Sequence, residues 1–247
     1  MIKRMLIMAA FLTASFAFTT NKLTAKSAPK AEVKIENASE VTLTAEEKIS
    51  KLYQDFSALN TTMPSEDAFL KGMTGYNKLH AENKIQNELL TIVDFNLPST
   101  QKRMWILDMT TKKVLFNTYV AHGQGTGGNM ATKFSNTSNS HQSSLGFYVT
   151  AETYHGKNGL SLFIDGMEKG FNSNARNRYV VIHGADYATE GFIKNRGRLG
   201  RSYGCPAVPT KLSKEIINTI KGNSVLFIYK ENADYLNKSQ YLNQPAV

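Results

Sequence analysis

The chain has 247 residues, with 29 Lys+Arg against 20 Asp+Glu for a formal net charge of +9, 41% hydrophobic and 20% charged residues, and one Cys. This ordinary globular composition excludes a wholly disordered, collagen-like or coiled-coil chain. A single cysteine excludes an intrachain disulfide framework and any zinc site built on several thiolates. The length accommodates one large domain or two small ones with a sizeable core.

Lys3 and Arg4 form a short basic start, and the uncharged apolar run Met5 to Phe18 follows. Ser15 and Ala17 supply the small residues that a signal-peptidase site needs, and the run is shorter than the ~20 residues that span a bilayer. Residues 1–25 therefore read as a secretory signal peptide, with an uncleaved anchor as the alternative. After cleavage no stable membrane span is expected and the chain stays basic. A basic exported protein meets anionic wall or envelope polymers more readily than nucleic acid. Neither an arginine-rich nor an aromatic-interleaved nucleic-acid motif is present. Residues 26–43, polar and containing Pro29, read as a linker.

Thr44-Ala45-Glu46-Glu47 fits a capping box. Ile49, Leu52, Tyr53, Phe56 and Leu59 then recur at helical spacing. Pro64-Ser65 breaks the pattern, and Phe69, Met73, Tyr76 and His80 start a second stripe, with His80 read as packing rather than as a ligand. Residues 44–88 are thus expected to be a helical hairpin, although Gly72 and Gly75 each cost about 1 kcal/mol relative to Ala. From Thr91 the texture turns to β. Residues 92–95, 104–109, 114–121, 146–153, 160–164 and 225–229 read as strands, and Tyr179-Val180-Val181-Ile182 as an apolar strand buried on both faces. Lys211 to Ile220 reads as a helix stopped by Gly222. The predicted fold is mainly β over residues 90–230, with a short helical N-terminal region and a polar, loose tail over 231–247.

Two segments carry chemistry. His183 ends the apolar strand and is followed by Gly184. Cys205 sits in Gly200-Arg201-Ser202-Tyr203-Gly204-Cys205-Pro206-Ala207, a glycine-bearing loop that leaves backbone N–H groups available. A rigidly delivered imidazole, a thiol and nearby donors are what a Cys–His acyl-transfer site requires. The competing reading of a lone cysteine is a small buried hydrophobe. In an exported chain an idle thiol is an oxidation risk, which favours a use for it. Lys194, Arg196, Arg198 and Arg201 crowd before the thiol in sequence. They would favour a thiolate and hold substrate carboxylates, or simply form a solvated basic loop. His141 and His155 lie in polar stretches and are expected to be exposed. The glycine-rich stretch after His122 lacks a following Gly-Lys-Ser/Thr, so residues 122–144 read as a mobile loop bordering the cleft, not a phosphate loop. Asp186 either orients an imidazole or forms a turn.

Four ordered blocks resemble the murein L,D-transpeptidase catalytic domain family, a divergent YkuD-like branch. They are Val120-Ala121-His122-Gly123, Gln142-Ser143-Ser144-Leu145-Gly146, Ile182-His183-Gly184-Ala185-Asp186-Tyr187, and Gly197 through Ala207 ending in Ser202-Tyr203-Gly204-Cys205-Pro206-Ala207. Two positions depart from the common motif: Tyr203 stands where a second histidine is usual, and Ala207 where a polar residue is usual. The resemblance implies a β-sandwich-like catalytic domain, peptidoglycan stem peptides as substrate, and no cofactor or metal. It implies Cys205 as nucleophile and His183 as its base. Ser202, Tyr203 and Gly204 would shape the oxyanion loop, and Arg198, Arg201, His122 and Gly184 would line the substrate site. The implied activity is an exported L,D-transpeptidase. The alternatives are an L,D-carboxypeptidase or cysteine peptidase using the same residues, and a non-catalytic wall-binding module.

Overall fold

A computed structural model describes residues 43–243. The expected signal peptide, nearly all of the linker, and residues 244–247 lie outside them. The first helix, α1 (Ala45–Leu59), opens on the capping box read from the sequence: Thr44 Oγ1 accepts the Glu47 N–H at 3.2 Å while the Glu47 carboxylate accepts the Thr44 N–H at 2.8 Å. Its stripe buries Phe56 fully, but Leu59 ends in solvent. The second helix, α2 (Glu66–Ala81), is capped by Ser65 and buries Phe69, Met73, Tyr76 and Leu79. His80 faces solvent beside Glu88, so Leu79 rather than His80 completes the packed stripe.

Eight strands follow: β1 (Leu89–Asp94), β2 (Met104–Asp108), β3 (Lys113–Thr118), β4 (Gly146–Gly156), β5 (Gly159–Gly166), β6 (Val181–Ala185), β7 (Ala207–Pro209) and β8 (Val225–Tyr229). They form one mixed sheet in the order β3-β2-β1-β8-β4-β5-β6-β7. The fold is therefore mainly β with a helical N-terminal region, as expected. β1 runs parallel to β8 and β6 parallel to β7, while the other neighbours are antiparallel. The fully apolar β8 and the nearly apolar β1 are central and buried on both faces. Helix α2 packs on β1 and β8, and helix α4 (Thr210–Ile220) packs on β6 through a stripe that buries Ile216, Ile217 and Ile220.

The two edges of the sheet meet. Just beyond β3, Ala121 donates its N–H to Ala207 O at 2.8 Å and accepts the Ala207 N–H at 3.3 Å. This bridge to β7 makes the sheet a nearly closed, barrel-like surface. It also fixes the loop before β7 against the loop after β3, and the candidate site lies at that closure. The contact is made by small residues: Ala121, Ala185, Ala188 and Ala207 cluster with Leu199. Ala207 is fully buried there, and the packing explains why no polar side chain occupies the position.

Three local expectations change. The strand expected at 179–182 begins at Val181 and runs to Ala185, so His183 lies in its middle. Tyr179 precedes it in a left-handed turn (φ 53°), because Val180 N–H bonds Ala175 O and Tyr179 N–H bonds Arg176 O. A short helix, α3 (Glu190–Arg196), occupies the basic stretch, capped by Thr189 and closed by Gly197. The described part of the tail, up to residue 243, is not loose. Helices α5 (Ala233–Lys238) and α6 (Gln240–Asn243) bury Tyr235 and Tyr241. The Tyr235 and Ser239 hydroxyls donate to the buried Glu168 carboxylate, which also accepts the Phe147 N–H at 2.7 Å.

Candidate active site

Cys205 sits at the end of a tight loop whose shape is set by Ser202. The Ser202 hydroxyl donates to Cys205 O at 2.6 Å and accepts the Gly204 N–H at 3.1 Å. Gly204 adopts φ 126°, and a Cβ there would lie 2.9 Å from Gln142 O, so no other residue fits without strain. The loop after β3 seats this turn. Ser202 N–H bonds His122 O at 3.0 Å, Gln124 N–H bonds Ser202 O at 2.8 Å, and Ser143 Oγ links Gly123 N–H to Gly204 O. The Gly204 N–H is thus spent inside the loop. Among the described residues, the N–H groups of Tyr203 and Cys205 have no acceptor elsewhere in the protein.

The thiol faces the turn before β6. Val181 N–H points at Sγ at 3.5 Å, and Tyr179 O lies 3.5 Å from Sγ on the accepting side. Burial pushes the Cys205 thiol pKa up, with the Val181 N–H and the Arg178 charge opposing it. His183 is held by β5 and β7, registered with Ser161 on one side and Ala207 on the other. Its Nδ1 lies 2.9 Å from Gly184 O. A carbonyl can only accept, so Nδ1 carries the proton and Nε2 is the basic atom. Burial holds the His183 pKa below the ordinary imidazole value; Gly184 O opposes the shift and Lys157 adds to it. The two shifts favour the uncharged forms, a neutral thiol and a neutral imidazole. Both line one open cleft of about 550 Å³, and among the described residues no hydrogen bond joins them directly.

Ser202, Tyr203 and Arg201 line this cleft with Cys205 and His183. Tyr203 is 69% exposed and stacks on His141 with ring centroids 4.4 Å apart. Arg201 reaches Gly127 O at 3.0 Å, tying the glycine-rich loop to the thiol loop. The other expected lining residues stand elsewhere. Gly184 is buried in β6, where a Cβ would meet Ser213 Oγ of α4 at 2.7 Å. Arg198 turns back onto Leu199 O, and Lys194 pairs with Glu190 along α3. His122 is 1% exposed beneath the loop. Its Nδ1 accepts from the fully buried Arg103 at 2.8 Å, while its Nε2 is buried without a hydrogen-bond partner among the described residues. Burial, reinforced by Arg103, lowers the His122 pKa to about 4. Asp186 accepts from Thr210 Oγ1 at 2.7 Å, so it braces α4 and not the imidazole.

The cleft also contains residues that sequence reading did not single out: Tyr154, Lys157 and Asn158 from the β4–β5 hairpin, Arg178 and Tyr179 from the turn before β6, and Tyr187 after it. Apart from Tyr187, which ends the 182–187 block, no local motif marks them, because they come from segments brought together only by sheet order. Its lining includes the cations Lys157, Arg178 and Arg201 and no carboxylate. Among the described residues no group of three or more His, Cys, Asp or Glu is placed to hold a metal ion, and no helix is long and apolar enough to cross a membrane.

Comparison with known proteins gives a family. An L,D-transpeptidase catalytic domain profile (YkuD_2) matches residues 60–229. Among solved structures, the L,D-transpeptidase from Mycobacterium smegmatis is similar with a TM-score of 0.37 at 11% identity, covering 58% of this chain and 59% of that chain. The L,D-transpeptidase from Xylanimonas cellulosilytica gives 0.34 at 12% identity, covering 74% and 93%. That from Stackebrandtia nassauensis gives 0.34 at 12%, covering 76% and 93%. The chain therefore spans about six-tenths of the Mycobacterium smegmatis chain. No curated protein matches it. Because the matched span takes in more than half of the chain, and the barrel closure with both loops that meet there, the protein belongs to the L,D-transpeptidase catalytic domain family.

Proposed function

We propose that the protein is an exported peptidoglycan L,D-transpeptidase with Cys205 as nucleophile and His183 as general base. The observation that carries the reading is the convergence of a thiol, an imidazole with a free basic nitrogen and two unspent backbone N–H groups on one cationic cleft. His183 Nε2 takes the thiol proton as sulfur attacks the carbonyl of the third residue of a tetrapeptide stem. The Tyr203 and Cys205 N–H groups are the donors for the resulting oxyanion. Collapse releases D-Ala, whose amine receives the proton from His183, and leaves a thioester on Cys205. An amine of a second stem then attacks the thioester, forming the cross-link and returning the thiol. Water in the amine's place gives L,D-carboxypeptidase activity with the same residues. The basic cleft suits stem carboxylates, with Arg201 the predicted lining residue that faces it.

Incubation of the protein with purified tetrapeptide stems is expected to release D-Ala and to yield an acyl adduct on Cys205 by mass spectrometry. Cys205→Ala is expected to abolish both, and His183→Gln to slow acylation by roughly 100-fold or more. Product analysis with and without an acceptor stem separates transfer from hydrolysis. No adduct with any stem would leave a wall-binding module as the better reading.

A further inference from the structure

The chain entering β6 places two backbone groups 3.5 Å from the Cys205 sulfur, with Arg178 next to them in sequence. Tyr179 O is an acceptor for S–H, Val181 N–H is a donor to sulfur, and the guanidinium of Arg178 lines the same cleft and donates to the loop over 135–144. Arg178 is half-buried and makes no ion pair among the described residues. Its nitrogens donate instead to neutral oxygens: Ser135 O at 2.7 Å, Ser144 Oγ at 2.6 Å, Gln142 O at 2.6 Å and, more weakly, Ser140 Oγ at 3.4 Å. It also packs on the nucleophile loop, since a Cβ on Gly204 would lie 3.4 Å from its Nη2. A cation fixed in this way keeps its full charge with no carboxylate to neutralise it. It lines the same cleft as the Cys205 thiol.

We infer that Arg178 is a positioning residue for the Cys205 thiolate, a fixed positive charge that stabilises the anion formed on proton loss and locks the 135–144 loop to the loop that bears it. The neutral thiol is served by Tyr179 O, which accepts its proton. When the proton leaves for His183, that carbonyl becomes repulsive, and the stabilising groups are the Val181 N–H, Arg178 and the N–H of Cys205 itself. The electrostatics of the resting site agree in direction: burial raises the thiol pKa and Arg178 lowers it. The other titratable or charged groups of the cleft are Lys157 on the β4–β5 hairpin, His183 on β6, Tyr187 beyond it, Arg201 and Tyr203 on the thiol loop, and Tyr154 and Tyr179 on the facing walls. None of these is a carboxylate, so nothing in the lining offsets Arg178. The inference rests on Cys205 being the reactive nucleophile.

The test is the pH profile of Cys205 alkylation by iodoacetamide, a readout that requires no stem peptide. Three variants are compared with the unaltered protein: Arg178→Gln, Arg178→Lys and Ser144→Ala. Hydrogen exchange over 135–144 is followed in parallel. Arg178→Gln is expected to move the profile toward higher pH and to slow alkylation at pH 7 roughly tenfold, about one pKa unit. Arg178→Lys is expected to hold the profile near that of the unaltered protein while exchange in the loop rises, because charge is kept and the fork is lost. Ser144→Ala is expected to speed loop exchange with the profile unmoved. If Arg178→Gln does not fold, Arg178→Lys decides alone. A profile displaced in Arg178→Lys only as far as in Ser144→Ala supports the charge role. One displaced well beyond it, or an unmoved profile in Arg178→Gln, overturns it. Normal stem acylation does not enter this outcome, so failure of the proposed activity and failure of the Arg178 role are read separately.

Discussion

Arg103 and His122 lie side by side in the interior beneath the thiol loop, and their chemistry ties the rigidity of that loop to pH. Arg103 has no carboxylate within ion-pair distance among the described residues. Its guanidinium donates to Val120 O, Leu97 O and His122 Nδ1 and packs over Phe95. A proton on His122 would place a second charge against the first in a site closed to water. Burial, with the Arg103 charge beside it, lowers the imidazole pKa in the folded chain to about 4, against an ordinary value of about 6.5. Between these values the unfolded chain binds a proton that the folded chain refuses, so stability falls as pH drops from about 6.5 toward 4 and levels off below. A depression of this size corresponds to about 3 kcal/mol. His183, also depressed, adds to the loss with the same sign. Urea unfolding at pH 7 and pH 4.5 is expected to show this loss. His122→Asn, which keeps an acceptor for Arg103 but does not titrate, should remove most of the pH dependence. A variant as acid-sensitive as the parent would show that other groups carry it.

Among the elements, α2 shows how packing overrides propensity. By helix propensity alone, Gly72 and Gly75 are weak points that Ala would improve by about 1 kcal/mol each. A Cβ on Gly75, however, would lie 2.1 Å from Phe147 Cζ, and Phe147 is itself stacked on Phe227 at 4.2 Å in the sheet beneath. A Cβ on Gly72 would meet Ile92 Cδ1 at 3.2 Å, the end of a flexible side chain. Gly75→Ala is therefore expected to lower stability by about 1–3 kcal/mol, read as a drop in melting temperature, while Gly72→Ala stays close to neutral. Equal effects at the two sites would contradict the difference in backing. The same distinction governs what could be read from sequence. Thr44 and Ser202 act within a few residues of themselves, and His183 and Cys205 stand in short glycine-bearing motifs, so local spacing exposes them. Arg178 is brought into the cleft of a thiol 27 residues away through sheet order, and Tyr179, apolar in pattern, is turned into a left-handed bend by bonds from Val180 and Tyr179 back to 175 and 176. The tail misleads for a related reason. Its Asn, Lys and Gln residues suggest solvent, but Tyr235 and Ser239 close on a carboxylate, Glu168, more than 60 residues earlier.

At the scale of the molecule, the excess positive charge acquires a location. The formal +9 includes residues outside the described span, but the cleft has its own imbalance, with Lys157, Arg178 and Arg201 in the lining and no Asp or Glu. These cations come from three separate segments that barrel closure gathers around the thiol. Arg178 is occupied by four oxygens and acts over short range inside the wall, whereas Lys157 at the hairpin tip and Arg201 at the loop rim stand toward solvent. Their field is the part that salt can screen, since the Debye length falls from about 10 Å at 0.1 M to about 3 Å at 1 M. For an acidic stem peptide, capture should therefore weaken with ionic strength. The acylation kcat/KM is expected to fall roughly tenfold between about 0.05 M and about 0.5 M NaCl. The double variant Lys157→Gln with Arg201→Gln should start lower and depend on salt far less, while alkylation of Cys205 by neutral iodoacetamide should change little over the same range in either protein. A salt dependence that survives in the double variant would assign the capture of substrate to charges outside the cleft.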